Sequence, residues 1–448
     1  MLTLNLRQNH AMTDCSASQL EFASCQGRKI QADFEGGEVS SDGGLLLLRE
    51  VDRRLNLLSR AGRLLNDPRQ KGKIRHSKEA MLRQRVFAIA QGYEDLNDHD
   101  TLRDDTLLQT AAGRLCRLAS AATLCRMENQ ADRQSAIALN ELLVDLFIES
   151  QKSPPKEIIL DFDATDDPVH GHQEGRFFHG YYRHYCFLPL YVFCGHHPLL
   201  AWLRPSNIDG ARGSWLALRW LVKKLRAAWP KVRIIWRADS GFCRWRMLRW
   251  SERNQVDYVV GLAKNKRVES DCRELLDEAE ALWESKGEKQ RLFAWVDYGA
   301  RSWDQKRRVI AKAEHGEKGR NPRFVVTSLK GDPQKIYDDV YCARGEMENR
   351  IKEQQLGLFA DRTSCHAWWP NQLRLLLSTL AYVLINGLRR LGLKGTDWAR
   401  KQCDQLRVCL LKVGAVIIRN TRRIIVHLSS SWPGREMFIT VHARVLSG

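Results

Sequence analysis

Five apolar, strand-like segments near the middle of the chain constrain its fold more than any other feature. They lie at residues 157–163, 185–194, 198–203, 232–238 and 258–262. The first three follow one another directly, and Gly195-His196-His197 forms the turn between the second and third, which predicts an antiparallel set. Helical patterns at 214–228 and 243–254 separate the later segments. The sequence therefore predicts an α/β domain in which helices cover a sheet.

Three antiparallel strands followed by alternating helices and strands is the order of an RNase H-like sheet, and this is the core that we predict. A proline-containing linker, Lys152-Ser153-Pro154-Pro155-Lys156, precedes it. Before the linker, apolar residues recur at helical spacing, so residues 1–150 are expected to form a mainly helical region. We expect this region to bind DNA.

The second half of the chain completes the expected domain organisation. Residues 156–265 form the first part of the catalytic core, and residues 266–325 form a β-rich insertion with strand-like runs at 291–298, 306–313 and 324–329. Residues 326–400 return to the core, with helices predicted at 336–355 and 368–391. Residues 401–448 are predicted to be a basic β segment, with runs at 413–419, 423–428 and 437–445.

The charge of the chain indicates its partner. The formal net charge is +18, and a surplus of this size is best explained by binding to the phosphates of nucleic acid. A membrane is not expected, because the most apolar run, residues 375–388, is too short to span one and is flanked by arginines. The N-terminus lacks the pattern of a signal peptide. Twelve cysteines without a CxxC pair indicate reduced thiols, and we expect a cytoplasmic protein.

Carboxylates stand at the ends of two predicted strands. Asp161 and Asp163 lie two residues apart, so their side chains project from one face of the strand. Asp239 ends a second strand and is followed at once by Ser240-Gly241. Such groups are ordinary turn residues in many proteins. Together with a third carboxylate, however, they would make an oxygen-rich site for Mg²⁺ or Mn²⁺.

A third carboxylate lies in the segment YCARGEMENRIK at residues 341–352. Tyr341, Arg344, Glu348 and Lys352 are spaced by three and four residues, which places them on one face of a helix. A solvated helix with internal ion pairs is the alternative interpretation. From the residues alone, the two interpretations are equally supported.

The order of these motifs resembles the DDE transposases of bacterial insertion sequences, in the group with the signature Tyr-x-x-Arg-x-x-x-Glu. The segments LDFDATDDPVHGHQEG (160–175), RADSGF (237–242) and YCARGEMENRIKE (341–353) are most similar to insertion-sequence family thirteen-eighty. FEGGEVSSDGGLLLLREVDRRL (34–55) and GYEDLNDHDTLRDD (92–105) also resemble the N-terminal region of that family. The resemblance extends over nearly the whole chain.

The resemblance implies a role for each motif. Asp163, Asp239 and Glu348 would be the catalytic ligands of two Mg²⁺ ions, with Mn²⁺ as a substitute. Asp163 is favoured over Asp161, the alternative first ligand, because Thr165 completes the Asp-x-Thr pattern of the group.

Tyr341 and Arg344 would hold a DNA phosphate near the cut. The group has a basic residue six positions after the glutamate, where this chain has Gln355, so Lys352 is the candidate replacement.

A basic and aromatic stretch adds candidate DNA contacts. Between Trp215 and Trp250, ten lysines and arginines alternate with six tryptophans, and Asp239 is the only acidic residue. Arg237 and Arg244 flank Asp239 and are therefore predicted to bind DNA. Most of the tryptophans are expected to pack in the core.

These features predict a DNA transposase that cleaves at transposon ends and joins the freed 3′-hydroxyl ends to target DNA. Its partners would be the terminal inverted repeats and the target DNA. The chain would act as a homodimer on DNA, associated with the nucleoid of a bacterial cytoplasm. Two alternatives remain open, namely a nuclease of the same fold without strand transfer and a catalytically inactive DNA-binding relic.

Overall fold

The computed structural model describes residues 19–447 as a mixed α/β protein, which confirms the α/β part of the predicted fold class. The expectation of a missing signal peptide falls largely on residues 1–18, outside this range. The strands before the central sheet are β1 (Leu20–Cys25), β2 (Arg28–Ala32) and β3 (Glu38–Ser40). The helices of the N-terminal region are α1 (Leu45–Leu55), α2 (Leu57–Leu64), α3 (Lys78–Gln91), α4 (His99–Leu102), α5 (Thr106–Ala111), α6 (Ala121–Asn129) and α7 (Arg133–Glu149).

The strands that follow are β4 (Glu157–Ala164), β5 (Asp167–Pro168), β6 (Phe177–His179), β7 (His184–Phe187), β8 (Leu190–Cys194), β9 (His197–Trp202), β10 (Arg233–Ala238), β11 (Asp257–Leu262), β12 (Gln290–Tyr298), β13 (Arg307–Gly316), β14 (Gly319–Arg320), β15 (Arg323–Thr327), β16 (Ala415–Arg419) and β17 (Ile424–Leu428). The helices are α8 (Ser214–Ala228), α9 (Trp245–Arg253), α10 (Lys266–Asp271), α11 (Arg273–Lys286), α12 (Pro333–Lys335), α13 (Gly345–Lys352), α14 (Trp368–Leu391), α15 (Cys403–Leu406) and α16 (Arg435–Ser447).

A nine-stranded sheet forms the centre of the molecule. Its order is β12-β13-β15-β11-β10-β4-β8-β9, and β14 pairs with β13. The strands β4, β8 and β9 are antiparallel neighbours, whereas β10 and β11 run parallel to β4 on its other side. The predicted insertion strands β12, β13 and β15 are present, and they extend this same sheet from β11.

Alternating side chains give the two faces of the sheet different neighbours. Ile158, Leu160 and Phe162 of β4 point into a core shared with α8, α9 and α11. The residues that alternate with them along β4, Ile159, Asp161 and Asp163, therefore belong to the opposite face. The helical segment after Lys335 covers that face through Ile336 and Tyr337.

Helix α14 is the buried centre of the helical part of the molecule. It packs against α1, α3, α7 and α16, and nearly all its apolar side chains are inaccessible to solvent. This explains the apolar run at residues 375–388 as a core helix. Within residues 19–447, no helix has the length and apolar character needed to cross a membrane.

The C-terminal segment differs from its prediction. The runs predicted at 413–419 and 423–428 are strands β16 and β17, but residues 437–445 lie in helix α16 and not in a strand. The β-branched residues of this run favoured a strand. However, Phe438, Val441 and Val445 recur at helical spacing and bury one face against α1 and α14.

One predicted strand is two strands in the structure. Residues 185–194 divide at Leu188-Pro189 into β7 and β8. Proline has no amide N–H for a strand ladder, so a break in pairing occurs there. Strand β7 leaves the central sheet and pairs with β5 and β6 in a small separate sheet.

The helix predicted at 336–355 is present as a helical segment with changing geometry. We call residues 333–357 the Glu348 segment. It begins with α12, widens into a π turn at Ile336–Tyr341, tightens into a 3₁₀ turn at Cys342–Arg344, continues as α13 and ends in a second π turn at Glu353–Gly357. Such π turns inside helices are frequent at functional sites.

Candidate active site at the ends of two parallel strands

Asp163 and Asp239 are brought side by side by the pairing of β4 with β10. These strands are parallel, and Ala238 is paired with Phe162. Asp163 follows Phe162 and Asp239 follows Ala238, so the two aspartates lie level with each other at the same end of the sheet. Asp239 also caps the turn that follows, since its Oδ1 accepts the N–H of Gly241 at 2.9 Å.

Asp163 lies near two other carboxylates, and its own carboxylate accepts no hydrogen bond from a cationic side chain in the described chain. Burial raises the pKa of Asp163 to about 7, and the negative charges of Asp239 and Glu348 act in the same direction. The positive charge of Arg344 opposes this rise. Oδ1 of Asp163 accepts a hydrogen bond from the N–H of Ala164 at 2.9 Å.

Asp161 is occupied by a different partner. Its carboxylate accepts two hydrogen bonds from the guanidinium of Arg237, with Nε–Oδ1 at 2.6 Å and Nη2–Oδ2 at 2.7 Å. Both side chains are buried. Burial raises the pKa of Asp161, and the paired guanidinium counteracts that rise. The geometry therefore separates Asp161 from the more open pair of aspartates.

Arg237, which the sequence predicts to bind DNA, has its guanidinium engaged within the protein. Besides Asp161, its guanidinium donates to the carbonyl oxygen of Val340 at 2.6 Å, and the residue is buried. Arg237 and Asp239 lie two residues apart and share one side of the strand, but the pairing of β10 with β4 places Arg237 directly opposite Asp161. Arg237 instead connects β4 and β10 to the Glu348 segment.

Within the Glu348 segment, Arg344 contacts both Tyr341 and Glu348. The guanidinium of Arg344 lies 5.8 Å from the centre of the Tyr341 ring. Its Nη1 also lies 3.0 Å from Oε1 of Glu348, one helical turn away. Helix α13 packs against β4, which places this trio beside the two aspartates.

Gly261 in β11 leaves the space that the Tyr341 side chain occupies. This glycine was not identified from the sequence. A Cβ atom on Gly261 would lie 2.7 Å from the Tyr341 hydroxyl oxygen and 2.8 Å from the amide nitrogen of Ser240. Only a residue without a side chain leaves room for the tyrosine beside the turn that follows Asp239. The available signal was a glycine that interrupts the strand YVVGL.

Gln355 makes a structural contact. The amide of Gln355 donates to the backbone carbonyl of Asp166 at 2.9 Å, which ties the Glu348 segment to the loop after Asp163. Lys352, the candidate replacement, is exposed at the end of α13. Its ammonium group is therefore accessible to a ligand.

A basic surface begins immediately after Asp239. Arg244 is exposed, and its guanidinium contacts the carboxylate of Asp209. On α9, the guanidiniums of Arg246 and Arg249 lie over the ring of Trp245, at 5.5 and 6.0 Å from its centre. This part of the predicted basic and aromatic stretch is therefore present at the surface, whereas Trp236 is buried in the core.

The loop after β4 adds further groups near Asp163 that the sequence had not indicated as site residues. Burial and the charges of Asp166 and Asp163 raise the pKa of Tyr182 to about 12. Nε2 of His184 lies 2.8 Å from Oδ2 of Asp166.

The donor atoms of the site are suited to a hard cation, although the side chains do not form a closed ligand set. Across residues 19–447, no three His, Cys, Asp or Glu side chains are arranged so that they could hold a metal ion. Glu348 is turned toward Arg344. The raised pKa of Asp163 nevertheless reflects buried carboxylate charge that a divalent ion would neutralise.

A match to a protein family defines the class of this chain. The family described as "Transposase DDE domain group 1" matches residues 22–447. The chain therefore belongs to the transposase DDE domain family, group 1. No curated protein matches it. Among solved structures, the cryo-EM structure of the piggyBac transposase synaptic complex with hairpin DNA is similar with a TM-score of 0.43 and 13% identity, over 83% of this chain and 79% of that chain.

Proposed function

We propose that this protein is a DNA transposase that cleaves at transposon ends and joins the resulting 3′-hydroxyl ends to target DNA. One observation carries the proposal. In a chain of the transposase DDE family, parallel strands β4 and β10 present Asp163 and Asp239 side by side, with Glu348 on a helix that packs against β4. We assign these three residues as the catalytic carboxylates.

The strand arrangement supports an RNase H-like core for residues 156–265 and 326–400. Strands β4, β8 and β9 form an antiparallel set, and β10 and β11 then add in parallel on the other side of β4, each reached through a helix. We assign residues 266–325 as an insertion that extends this sheet, and residues 401–448 as a basic C-terminal segment. Residues 1–150 are assigned as the DNA-binding region.

Asp163, Asp239 and Glu348 would hold two divalent ions, Mg²⁺ or Mn²⁺. Bound ions would activate the attacking oxygen and stabilise the leaving oxygen of the phosphodiester. The two aspartates hold their oxygens in place through the N–H groups of Ala164 and Gly241. Asp163 is partly buried, and the lower dielectric around it strengthens its interaction with a cation.

The remaining groups of the site would bind and orient DNA. Arg344 and Tyr341 would hold a phosphate beside the carboxylates, and the guanidinium of Arg344 can make two parallel hydrogen bonds to it. Lys352 and Arg244 are exposed on either side and would contact the DNA backbone. Terminal inverted repeats and target DNA are the proposed ligands, bound by a homodimer.

Replacement of Asp239 by Asn tests the site. This change keeps the shape of the side chain but removes its charge, so metal-dependent cleavage of DNA carrying the transposon end should fall by on the order of 1,000-fold or more. Asp297→Asn is the matched control, because Asp297 is exposed on β12 and should leave cleavage unchanged. Binding of the same DNA and the thermal unfolding of both variants should stay close to those of the unchanged protein.

Strand-transfer products distinguish the remaining functions. A nuclease of the same fold would cleave but give no joined product with target DNA. An inactive relic would bind DNA and fail to cleave it with any divalent ion. Cleavage that survives Asp239→Asn would refute the assigned site.

A further inference from the structure

The N-terminal hairpin, residues 20–32, is a two-stranded unit with an apolar face that no other part of residues 19–447 covers. Phe22 is paired with Ile30, and Leu20 with Ala32, so their side chains share one face. Phe22 is 57% exposed and Ile30 is 41% exposed. Every residue of β1 is exposed. An isolated two-stranded hairpin is marginally stable in water, so this one needs a further surface.

A second apolar face lies on the sheet of β17, β16 and β3, which we call the terminal sheet. Its inner face contributes Ala415 and Ile417 to the core. On its outer face, Val39 is paired with Val416, and Ile418 with Ile425. Val39 is 61% exposed and Ile418 is 48% exposed, and the other two are also exposed. A contiguous apolar patch of this kind marks an interaction site.

The two faces belong to neighbouring parts of the same chain. Residues 33–37, which contain Gly36 and Gly37, connect the N-terminal hairpin to β3 at the edge of the terminal sheet. Despite this short connection, both apolar faces are exposed in the part of the chain that the structure describes. Each face is therefore available to a second copy, which carries the complementary one.

We propose that two copies of this protein exchange their N-terminal hairpins, so that the hairpin of each copy covers the terminal sheet of the other. A two-fold axis makes both contacts equivalent, which closes the assembly at a dimer. This inference rests on the proposed pairing of two copies on DNA and names the surface that pairs them.

The size of the faces sets the strength of this dimer. Each hairpin has a footprint of roughly 20 Å by 10 Å, from the rise along a strand and the spacing between strands. Over two contacts and both surfaces, the buried area is roughly 800 Å², which is below the range of about 1,200–2,000 Å² for stable interfaces and in the range of weak, transient ones. We therefore expect a dimer that forms without DNA and dissociates on dilution.

Two aspartate variants on different faces test the exchange. Phe22→Asp alters the hairpin face and Ile418→Asp alters the sheet face. Each should weaken the DNA-free dimer by about 10-fold or more, measured by sedimentation between roughly 1 and 100 µM. The matched control is Ile439→Asp, at an exposed position of α16 outside both faces, which should dimerise normally.

Mixing the two variants distinguishes exchange from other arrangements. A pair of one Phe22→Asp chain and one Ile418→Asp chain retains one intact contact, whereas each variant alone retains none. A tagged mixture should therefore form heterodimers at concentrations where each variant alone is monomeric. A monomer at 100 µM for the unchanged protein, or a mixture without heterodimers, would overturn the proposal. Asp239→Asn should dimerise normally, so failure of the active site and failure of the interface are separate results.

Discussion

Asp161 and Asp163 share one face of β4, but their partners differ. Asp161 neutralises the buried guanidinium of Arg237, whereas Asp163 lies beside another carboxylate. Asp161→Asn should lower the free energy of unfolding by about 3 kcal/mol, because it leaves Arg237 buried with its charge unpaired. Asp163→Asn should raise it by about 1–3 kcal/mol without metal, because it removes a charge that burial and Asp239 disfavour.

Thermal unfolding of the two variants, measured in a chelator at pH 8, checks this contrast. Replacing both Asp161 and Arg237 by apolar residues of similar size should recover much of the stability lost in Asp161→Asn. Equal unfolding temperatures for Asp161→Asn and Asp163→Asn would contradict the division of roles. Asp163→Asn should also abolish cleavage, so that the more stable variant is the inactive one.

His99 makes the fold sensitive to acid. It is completely buried between Gln84 and Arg85 of α3, and burial, with the charge of Arg85 adding to it, lowers its pKa to about 3. An unfolded chain binds a proton at His99 below about pH 6.5, which the native protein does not bind until about pH 3. Stability should therefore decrease as the pH falls through this window, by up to about 1.4 kcal/mol per pH unit.

Unfolding in urea at pH 7.5, 6.5 and 5.5 measures this dependence. His99→Gln lacks the titrating group and should show a shallower loss of stability toward acid. His427→Gln, at an exposed position of β17, serves as the control and should keep the original slope. The assignment fails if His99→Gln and the unchanged protein lose stability in parallel.

At the scale of elements, the site depends on close packing between β11 and the Glu348 segment. Gly261→Ala would force its new methyl group against the Tyr341 hydroxyl and the turn after Asp239. We expect cleavage to fall by about 10- to 100-fold, because a displacement of about 1 Å is sufficient for such a loss. Gly345→Ala is the control, since a Cβ there meets no atom within 4 Å.

A double variant shows whether Tyr341 mediates the effect. Tyr341→Phe removes the hydroxyl that the methyl group would strike, so Gly261→Ala should cost less activity in that background than alone. Cleavage rates of the four proteins in this cycle provide the measurement. Strictly additive losses would mean that the glycine acts through the Asp239 turn and not through the tyrosine.

The elements also show where sequence patterns were sufficient. Helices α8 and α14 begin and end at the predicted residues, because their apolar residues keep helical spacing to the last turn. Helix α16 was predicted to be a strand because its β-branched residues favour a strand locally. Its helical form depends on packing against helices α1 and α14, which are distant in sequence. The contacts of Gly261 and Arg237 depend on register and packing between segments far apart in sequence, which periodicity does not encode.

For the whole molecule, one hydrophobic core crosses the predicted domain boundaries. Leu48 of α1, Val86 of α3, Leu380 of α14 and Val441 of α16 belong to the same buried cluster. Because α14 follows the Glu348 segment directly in the chain, helices from the N-terminal region support the element that carries the third carboxylate. Any movement of the N-terminal region on DNA would therefore be transmitted to the site through packed side chains.

The pairing of β3 with β16 joins segments from opposite ends of the described chain. A ribosome that adds about 5–20 residues per second needs roughly 20 to 80 seconds to pass from one to the other. Throughout that time β3 has no partner, and α1 and α3 have no α14 to cover them. The nascent protein thus exposes an open strand edge and apolar helices until these distant segments have been made, which makes this the stage at which chaperones and aggregation compete for it.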